Sequence, residues 1–386
     1  MVSLPDFAAA NLATAPAEQR FNRAVTGVYE PGSTFKLFTS AMALELGTVQ
    51  LTGGFDASRP IRIGRHEIND FKGKNRWLSL PEIIAYSSNL ASAHMAMSVG
   101  PTRHREFMGR VGMLNRTGIE LPESAATLAP SQRNWRDINT MTIGFGHGIS
   151  VTPLHIVNGV SALANGGTLR RPTILAVPPG EEREGVRVIS ERTSEQVRRL
   201  MRVAVTDGSG RQADVPGYFV GGKTGTAQKT NERGQYQENR RISSFVGAFP
   251  MNAPRYALHV LVDEPKPRAD TGGYATAGVV AAPTARRVVE RIAPILGMVP
   301  ETDRIPQIQA SIALPLNGGR PRVAAASTTP RAPASATPAM LPRTPAPSLE
   351  QAPAPIRRTD AADGIAMPRL VLAPLSSTPE PGRAPR

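Results

Sequence analysis

Val28-Tyr29-Glu30-Pro31-Gly32-Ser33-Thr34-Phe35-Lys36 is the stretch around which the rest of this 386-residue chain is read. Pro31 and Gly32 close whatever precedes them. Beyond them the apolar residues Phe35, Leu37, Phe38, Ala41, Met42 and Leu44 recur at three- and four-residue steps until Gly47. That period predicts a helix from Ser33, with the serine in the place of a cap. Lys36 then lies one turn on, on the same face, so an amine meets a hydroxyl where helix N–H groups favour negative charge. Serine is a weak nucleophile until a neighbour takes its proton, and a lysine does so if burial or nearby cations hold it neutral. Taken alone, Ser-x-x-Lys arises by chance about once in a chain this long, and a capped helix with a surface lysine explains it equally well.

Composition sets bounds. The chain is 40% hydrophobic, enough for a core, and without cysteine it has neither disulfides nor thiolate metal sites. Its net charge of +14 comes from scattered Lys and Arg with short clusters such as Arg240-Arg241 and Arg286-Arg287. No long basic run, helix-turn-helix or aromatic RNA-binding signature accompanies them. The charge therefore reads as attraction to anionic surfaces, a cell-wall polymer or a membrane, and not to nucleic acid. No apolar run approaches the roughly 18 residues of a membrane span. Met1-Val-Ser-Leu-Pro-Asp-Phe has neither the charged nor the apolar part of a signal peptide. The six histidines lack metal-ligand spacing, and His147 in Gly146-His147-Gly148 reads as structural. No glycine-rich loop follows a strand and opens a helix, so neither metal nor nucleotide nor other cofactor is expected.

Along the chain, residues 1–32 read as irregular lead-in with helical character near Pro16 to Arg20, and 53–76 as loop with a strand at Ile61-Arg62-Ile63. Ser79 and Glu82 form a capping box with Pro81 in the first turn. That helix breaks at Tyr86-Ser87-Ser88-Asn89, resumes through Val99 and stops at Gly100-Pro101; another covers Arg103 to Val111. Residues 113–150 read as connecting loop. Thr152-Pro153 opens a helix that ends at Asn165-Gly166-Gly167, and Thr193 to Thr206 forms the next. The period then changes to two. Tyr218 to Ala227, Ser243 to Phe249 and Tyr256 to Val262 read as an antiparallel meander, with 231–239 as a polar turn. A helix over Val279 to Leu296 covers it. The whole is an α+β arrangement, an antiparallel sheet flanked by helices. From residue 300 to 386, Pro, Ala, Ser, Thr and Arg dominate; such a tail cannot bury enough apolar surface to order itself. Its apolar island, Met367 to Leu372, reads as incidental.

Three short signals occur in one order: Ser33-x-x-Lys36, Ser87-Ser88-Asn89 and Lys223-Thr224-Gly225-Thr226. Together they resemble the motif set of the penicillin-recognising serine acyltransferases, penicillin-binding proteins and serine β-lactamases. The flanks Arg20 to Lys36, Gly144 to Leu154, Asp207 to Gly210, Gly217-Tyr218 and Asp263 to Lys266 are similar to class B penicillin-binding proteins, in particular the cell-division (septal, FtsI) type. The resemblance covers residues 1–299. It implies a peptidoglycan D,D-transpeptidase in which Ser33 attacks between two D-alanines of a stem peptide and Lys36 accepts its proton. Ser87 then relays a proton to the leaving group and Asn89 holds the substrate backbone. Lys223, Thr224 and Thr226 suit a terminal carboxylate, Gly225 lets substrate lie close to the strand, and the N–H groups of Ser33 and Thr226 form an oxyanion hole. Lys223 also helps keep Lys36 neutral. Asp70, in the loop before the second motif, is a candidate to orient it. Implied partners are stem peptides, β-lactams and membrane proteins of the division machinery. The implied location is the inner membrane with a periplasmic catalytic domain.

The match has gaps. The family's membrane helix, its non-catalytic domain and the first two sheet strands of the catalytic domain have no counterpart before Met1. The expectation is a truncated chain with an open sheet edge, unstable or poorly active. A serine β-lactamase is the competing enzyme reading, although class D enzymes have valine where Asn89 stands, and no class A deacylation glutamate is found. A non-catalytic fragment that binds division partners or senses β-lactams is the reading from another class.

Overall fold

The structure, a computed structural model, describes residues 1–316 except 65, 179, 182 and 231–234. A lead-in with one helical turn, Ala17–Arg20 (α1), runs to Pro31. A 3-10 turn, Gly32–Phe35, then delivers the chain into Lys36–Glu45 (α2). All residues of α2 from Lys36 to Ala43 are buried, so α2 is the axis of the helical body and not a surface helix. Ser33 does not cap it. The serine sits inside the 3-10 turn, and α2 begins three residues later than expected, with no side-chain cap. Gly32, left-handed at φ +54, sets up this tighter turn, which spacing alone does not distinguish from an α-helix.

Short strands follow, Gly54–Asp56 (β1), Ile61–Ile63 (β2), His66–Ile68 (β3) and Trp77–Ser79 (β4), paired antiparallel as β1 with β4 and β2 with β3. Leu80–Tyr86 (α3) starts with the capping box its sequence encodes: Glu82 N–H donates to Ser79 Oγ, and Ser79 N–H donates to the Glu82 carboxylate at 3.0 Å. It ends at Ser87, left-handed at φ 58, and Ser88 caps Asn89–Val99 (α4). Pro101–Arg110 (α5) follows. Within the expected loop 113–150 the structure has a helix, Asp137–Gly144 (α6). It packs on α4 so closely that a Cβ on Gly144 would fall 2.7 Å from Ala96 Cβ. Pro153–Ala164 (α7) begins behind the Thr152 cap. Thr168–Arg170 (β5) pairs with Gly185–Arg187 (β6), and Glu191–Thr206 (α8) begins behind Ser190.

The meander is Gly221–Thr230 (β7), Tyr236–Phe249 (β8) and Tyr256–Asp263 (β9), antiparallel in that order. Strand β8 already begins at Tyr236, so 236–239 belong to the strand and not to the expected turn; 231–234 lie outside the described residues. Period-two alternation decides the layers. Phe245 and Phe249 of β8 pack with Ala281, Ala285 and Val289 of Ala281–Ile295 (α9), while Val246 and Ala248 join the helical core. The sheet is thus covered on both faces. Order also extends past residue 300, where disorder was expected. Ile305–Ile312 (α10) buries Ile308 and Ile312 against the helical core, and Arg199 of α8 donates to Ala313 O at 2.7 Å. Residues 317–386, with the island at 367–372, lie outside the described residues.

Candidate active site

The 3-10 turn before α2, the α3–α4 junction and strand β7 bring Ser33, Lys36, Ser87, Asn89 and Lys223 to one point. Lys36 Nζ lies 2.9 Å from Ser33 Oγ, 3.1 Å from Ser87 Oγ, 2.8 Å from Ser87 O and 2.7 Å from Asn89 Oδ1. Lys223 Nζ lies 2.9 Å from Ser87 Oγ and 3.2 Å from Thr224 O. One hydroxyl, that of Ser87, therefore stands between two amines, and one of those amines also touches Ser33.

Both amines are almost fully buried, 1% exposed at Lys36 and 0% at Lys223. Desolvation holds the Lys36 amine well below the usual lysine range. The neighbouring Lys223 cation pushes in the same direction, and the Asp70 carboxylate opposes them. Burial also brings Lys223 down to about 7. Lys36 is accordingly the amine whose neutral form is most favoured by its surroundings, and its nitrogen lies at hydrogen-bond distance from the Ser33 hydroxyl. This is the arrangement an activated serine requires.

Close backbone approach holds the parts together. Gly32 N–H donates to Gly146 O at 3.0 Å, and a Cβ on Gly146 would fall 2.0 Å from Gly32 O; Gly146 is itself at φ +88. The room left by Gly225 goes to the turn that carries Ser33. A Cβ there would meet Pro31 O at 2.6 Å and Thr34 Cγ2 at 2.8 Å. A Cβ on Gly32 would lie 3.0 Å from Thr226 O and 3.5 Å from Thr226 N, so the Thr226 backbone runs beside the residue preceding Ser33. The threonine hydroxyls have partners. Thr226 Oγ1 accepts from Ala277 N–H at 3.1 Å, and Thr224 Oγ1 is hydrogen-bonded to Ser209 Oγ. Ser209 was not singled out by its type. Its signal was the glycine-flanked turn Asp207 to Gly210 that closes α8.

Asp70 is the orienting residue that its place before the second motif suggested. Its carboxylate accepts from Ser88 Oγ at 2.7 Å, from Leu90 N–H at 3.1 Å and from Asn89 N–H. Asn89 Nδ2 donates to the adjoining Asn69 O at 3.1 Å. One loop thus fixes the left-handed Ser87 and the start of α4 together. Asp70→Asn is expected to slow acylation of Ser33 by penicillin about tenfold, the scale of one hydrogen bond to a charged group. Because the Asp70 charge favours protonated Lys36, its loss also moves the acid limb of the rate to lower pH. A stopped-flow pH profile reads both; an unmoved acid limb would make Asp70 a structural staple only.

Residues 1–290 match the family described as the penicillin-binding protein transpeptidase domain. A probable peptidoglycan D,D-transpeptidase FtsI from Caulobacter vibrioides is 42% identical over 313 residues, covering 79% of this chain and 53% of the relative. The chain spans about half the length of the curated relatives it matches. Among solved structures, the apo transpeptidase domain of penicillin-binding protein 3 from Burkholderia pseudomallei aligns with a TM-score of 0.68 at 32% identity, over 73% of this chain and 84% of that one. Penicillin-binding protein 3 of Mycobacterium tuberculosis, solved in complex with ampicillin, aligns at 0.66 and 28% identity, over 73% and 65% of the two chains. With its three motifs converging on one buried pair of amines, this chain belongs to the penicillin-binding protein transpeptidase family.

Proposed function

We propose that this chain is the catalytic part of a peptidoglycan D,D-transpeptidase of the cell-division type, acting through an acyl-enzyme at Ser33 and acylated there by penicillins. The observation that carries the reading is the shared contact: Lys36 Nζ reaches Ser33 Oγ and Ser87 Oγ, and Ser87 Oγ also reaches Lys223. Ser33 Oγ attacks the carbonyl between two D-alanines as its proton passes to Lys36 Nζ. Ser87 relays a proton to the departing nitrogen, the C–N bond breaks, and the terminal D-alanine leaves. An amine of a second stem peptide then attacks the Ser33 ester. The new amide forms as the C–O bond breaks, the amine's proton goes to Lys36, and Ser33 regains its hydrogen. Asn89 holds the donor backbone. Lys223, Thr224 and Thr226 hold the terminal carboxylate beside Gly225, and the N–H groups of Ser33 and Thr226 take the oxyanion. The closeness of Gly32 to the Thr226 backbone supports the last assignment.

In this reading residues 1–299 form the catalytic domain and 300–386 a Pro/Ala-rich tail, with α10 folded back on the domain. The whole enzyme sits at the inner membrane with this domain in the periplasm, among membrane proteins of the division machinery. Among the described residues no helix is long and apolar enough to cross a membrane. Among the described residues β9 pairs with β8 alone, which leaves its other edge without a strand partner there. This chain by itself is then expected to unfold broadly and at low temperature, and a bound penicillin to sharpen and raise the transition. A single sharp transition unaffected by penicillin would count against it.

The deciding assay supplies a thioester donor ending in D-alanine together with a D-amino acid as acceptor. The reading predicts an acceptor-dependent amide product and slow release of bound penicillin. Rapid hydrolysis of a chromogenic β-lactam would instead make this a β-lactamase, and no acylation at all would leave a binding fragment.

A further inference from the structure

Three residues outside the motifs meet at the far end of the cleft. Glu30, three residues before Ser33, accepts from Gly148 N–H at 2.8 Å and from the Tyr236 hydroxyl at 3.1 and 3.2 Å. His147 Nδ1 lies 3.3 Å from the other carboxylate oxygen and 3.4 Å from the Tyr236 hydroxyl. The Glu30 side chain is only 15% exposed. Burial raises its pKa, and the Gly148 N–H and Tyr236 O–H partly offset that.

His147 would neutralise this carboxylate if it were protonated. Burial above all brings the ring down to about 4, so at neutral pH the imidazole is uncharged. The donors that hold Glu30 are then neutral ones. Among the described residues no lysine or arginine pairs with it. A largely buried carboxylate without a lysine or arginine partner among the described residues, in a chain of net charge +14, is an electrostatic vacancy for a cation.

Its place along β7 says which cation. Gly32 abuts Thr226, and Tyr236 pairs with Thr230, whereas the buried amine of Lys223 lies at the other end of the strand. At about 3.3 Å per residue, Thr226 and Thr230 lie roughly 10 and 23 Å from Lys223. The cleft is therefore positive at one end and negative at the other. An extended peptide with its terminal carboxylate at the positive end places the residue two upstream about 7 Å along the same line, and a long side chain there extends the reach of its amine away from Lys223. Cross-linking joins strands of one polymer, so each donor strand also bears the amine used by acceptors.

We infer that Glu30, seated by Gly148 and Tyr236 beside His147, is a recognition site for an ammonium group on the peptide substrate. This rests on the transpeptidase reading and adds a substrate determinant to it. The ammonium belongs to the donor strand, upstream of the D-alanines, or to the incoming acceptor.

The test uses the full chain and two thioester donors ending in D-alanine, one with a free side-chain amine upstream and one with that amine acetylated. Wild type is expected to favour the free amine about tenfold in kcat/KM for acylation, Glu30→Gln to bring that ratio to about one, and Tyr236→Phe, which leaves the charge, to keep it. The ratio is internal to each variant, so a general loss of fold does not imitate the effect. If Glu30→Gln instead lowers only the partition of the acyl-enzyme toward an added amine, the site stands and its ligand is the acceptor. A wild type without preference in either measurement overturns the inference whatever the variants do, as does a Glu30→Gln protein that keeps both. Failure of both donors and of penicillin to acylate the wild type removes the transpeptidase reading and the inference with it.

Discussion

Ser33→Ala removes covalent penicillin binding altogether. Intact-protein mass spectrometry after incubation with benzylpenicillin is expected to show one added penicillin on the wild type and none on the variant. The side chain lost is one oxygen that lies 2.9 Å from Lys36 Nζ. Alanine fits the same 3-10 turn, so the loss is chemical and not conformational. The serious rival is Ser87, whose Oγ also lies within hydrogen-bond distance of Lys36, at 3.1 Å. Ser87, however, is left-handed at a helix junction, and its Oγ is engaged by Lys223 as well. A surviving adduct mapped to Ser87 would transfer the nucleophile's role there.

Lys36→Met gives the second large effect, about a 10³-fold loss in the rate of Ser33 acylation, within the range for removal of a general base. Methionine keeps the unbranched volume of a side chain that is 1% exposed. The same variant reads the cause of the lowered pKa. Lys36 has a folded pKa well below its unfolded value, so between the two the unfolded chain binds more protons. Wild-type stability therefore falls as pH drops through that window, and methionine carries no such penalty. Denaturant titrations from pH 10 to pH 6 are expected to show the variant gaining on the wild type as pH falls. A constant difference would mean that the buried amine is charged throughout.

Local signals in the chain were dependable where the structure they encode is local. The Ser79–Glu82 capping box and the Thr152 cap needed only neighbours three residues away. Helix α6 was illegible because it is made by packing. Its polar Asn139, Thr140 and Thr142 weaken any apolar stripe, and its hold on α4 comes from the contact of Gly144 with Ala96. Order in 305–312 was visible in the spacing of Ile305, Ile308 and Ile312 but obscured by the Pro- and Ala-rich composition of the chain beyond it. The site divides in the same way. Ser33, Lys36, Ser87, Asn89 and Lys223 announce themselves as motifs. Asp70 is suggested by its place before the second motif, whereas Glu30, Ser209 and Tyr236 are ordinary loop and strand residues until folding sets Ser209 on Thr224 and Tyr236 on Glu30. The packing of the Ser33 turn on Gly225 was also beyond the sequence, since that turn comes from nearly two hundred residues upstream.

Lys36, buried beside a second amine and held well below the usual lysine range, is expected to take the Ser33 proton in its neutral form. The pH dependence of the second-order rate of acylation by benzylpenicillin, from pH 5 to pH 9, tests this most directly. The account predicts a rate already near its maximum around neutrality, falling on the acid side as Lys36 gains a proton, and falling above about 7 as Lys223 loses the charge that holds the carboxylate. A rate that climbs about tenfold per pH unit through 7 to 9, as a lysine of ordinary pKa near 10.4 would give, contradicts it.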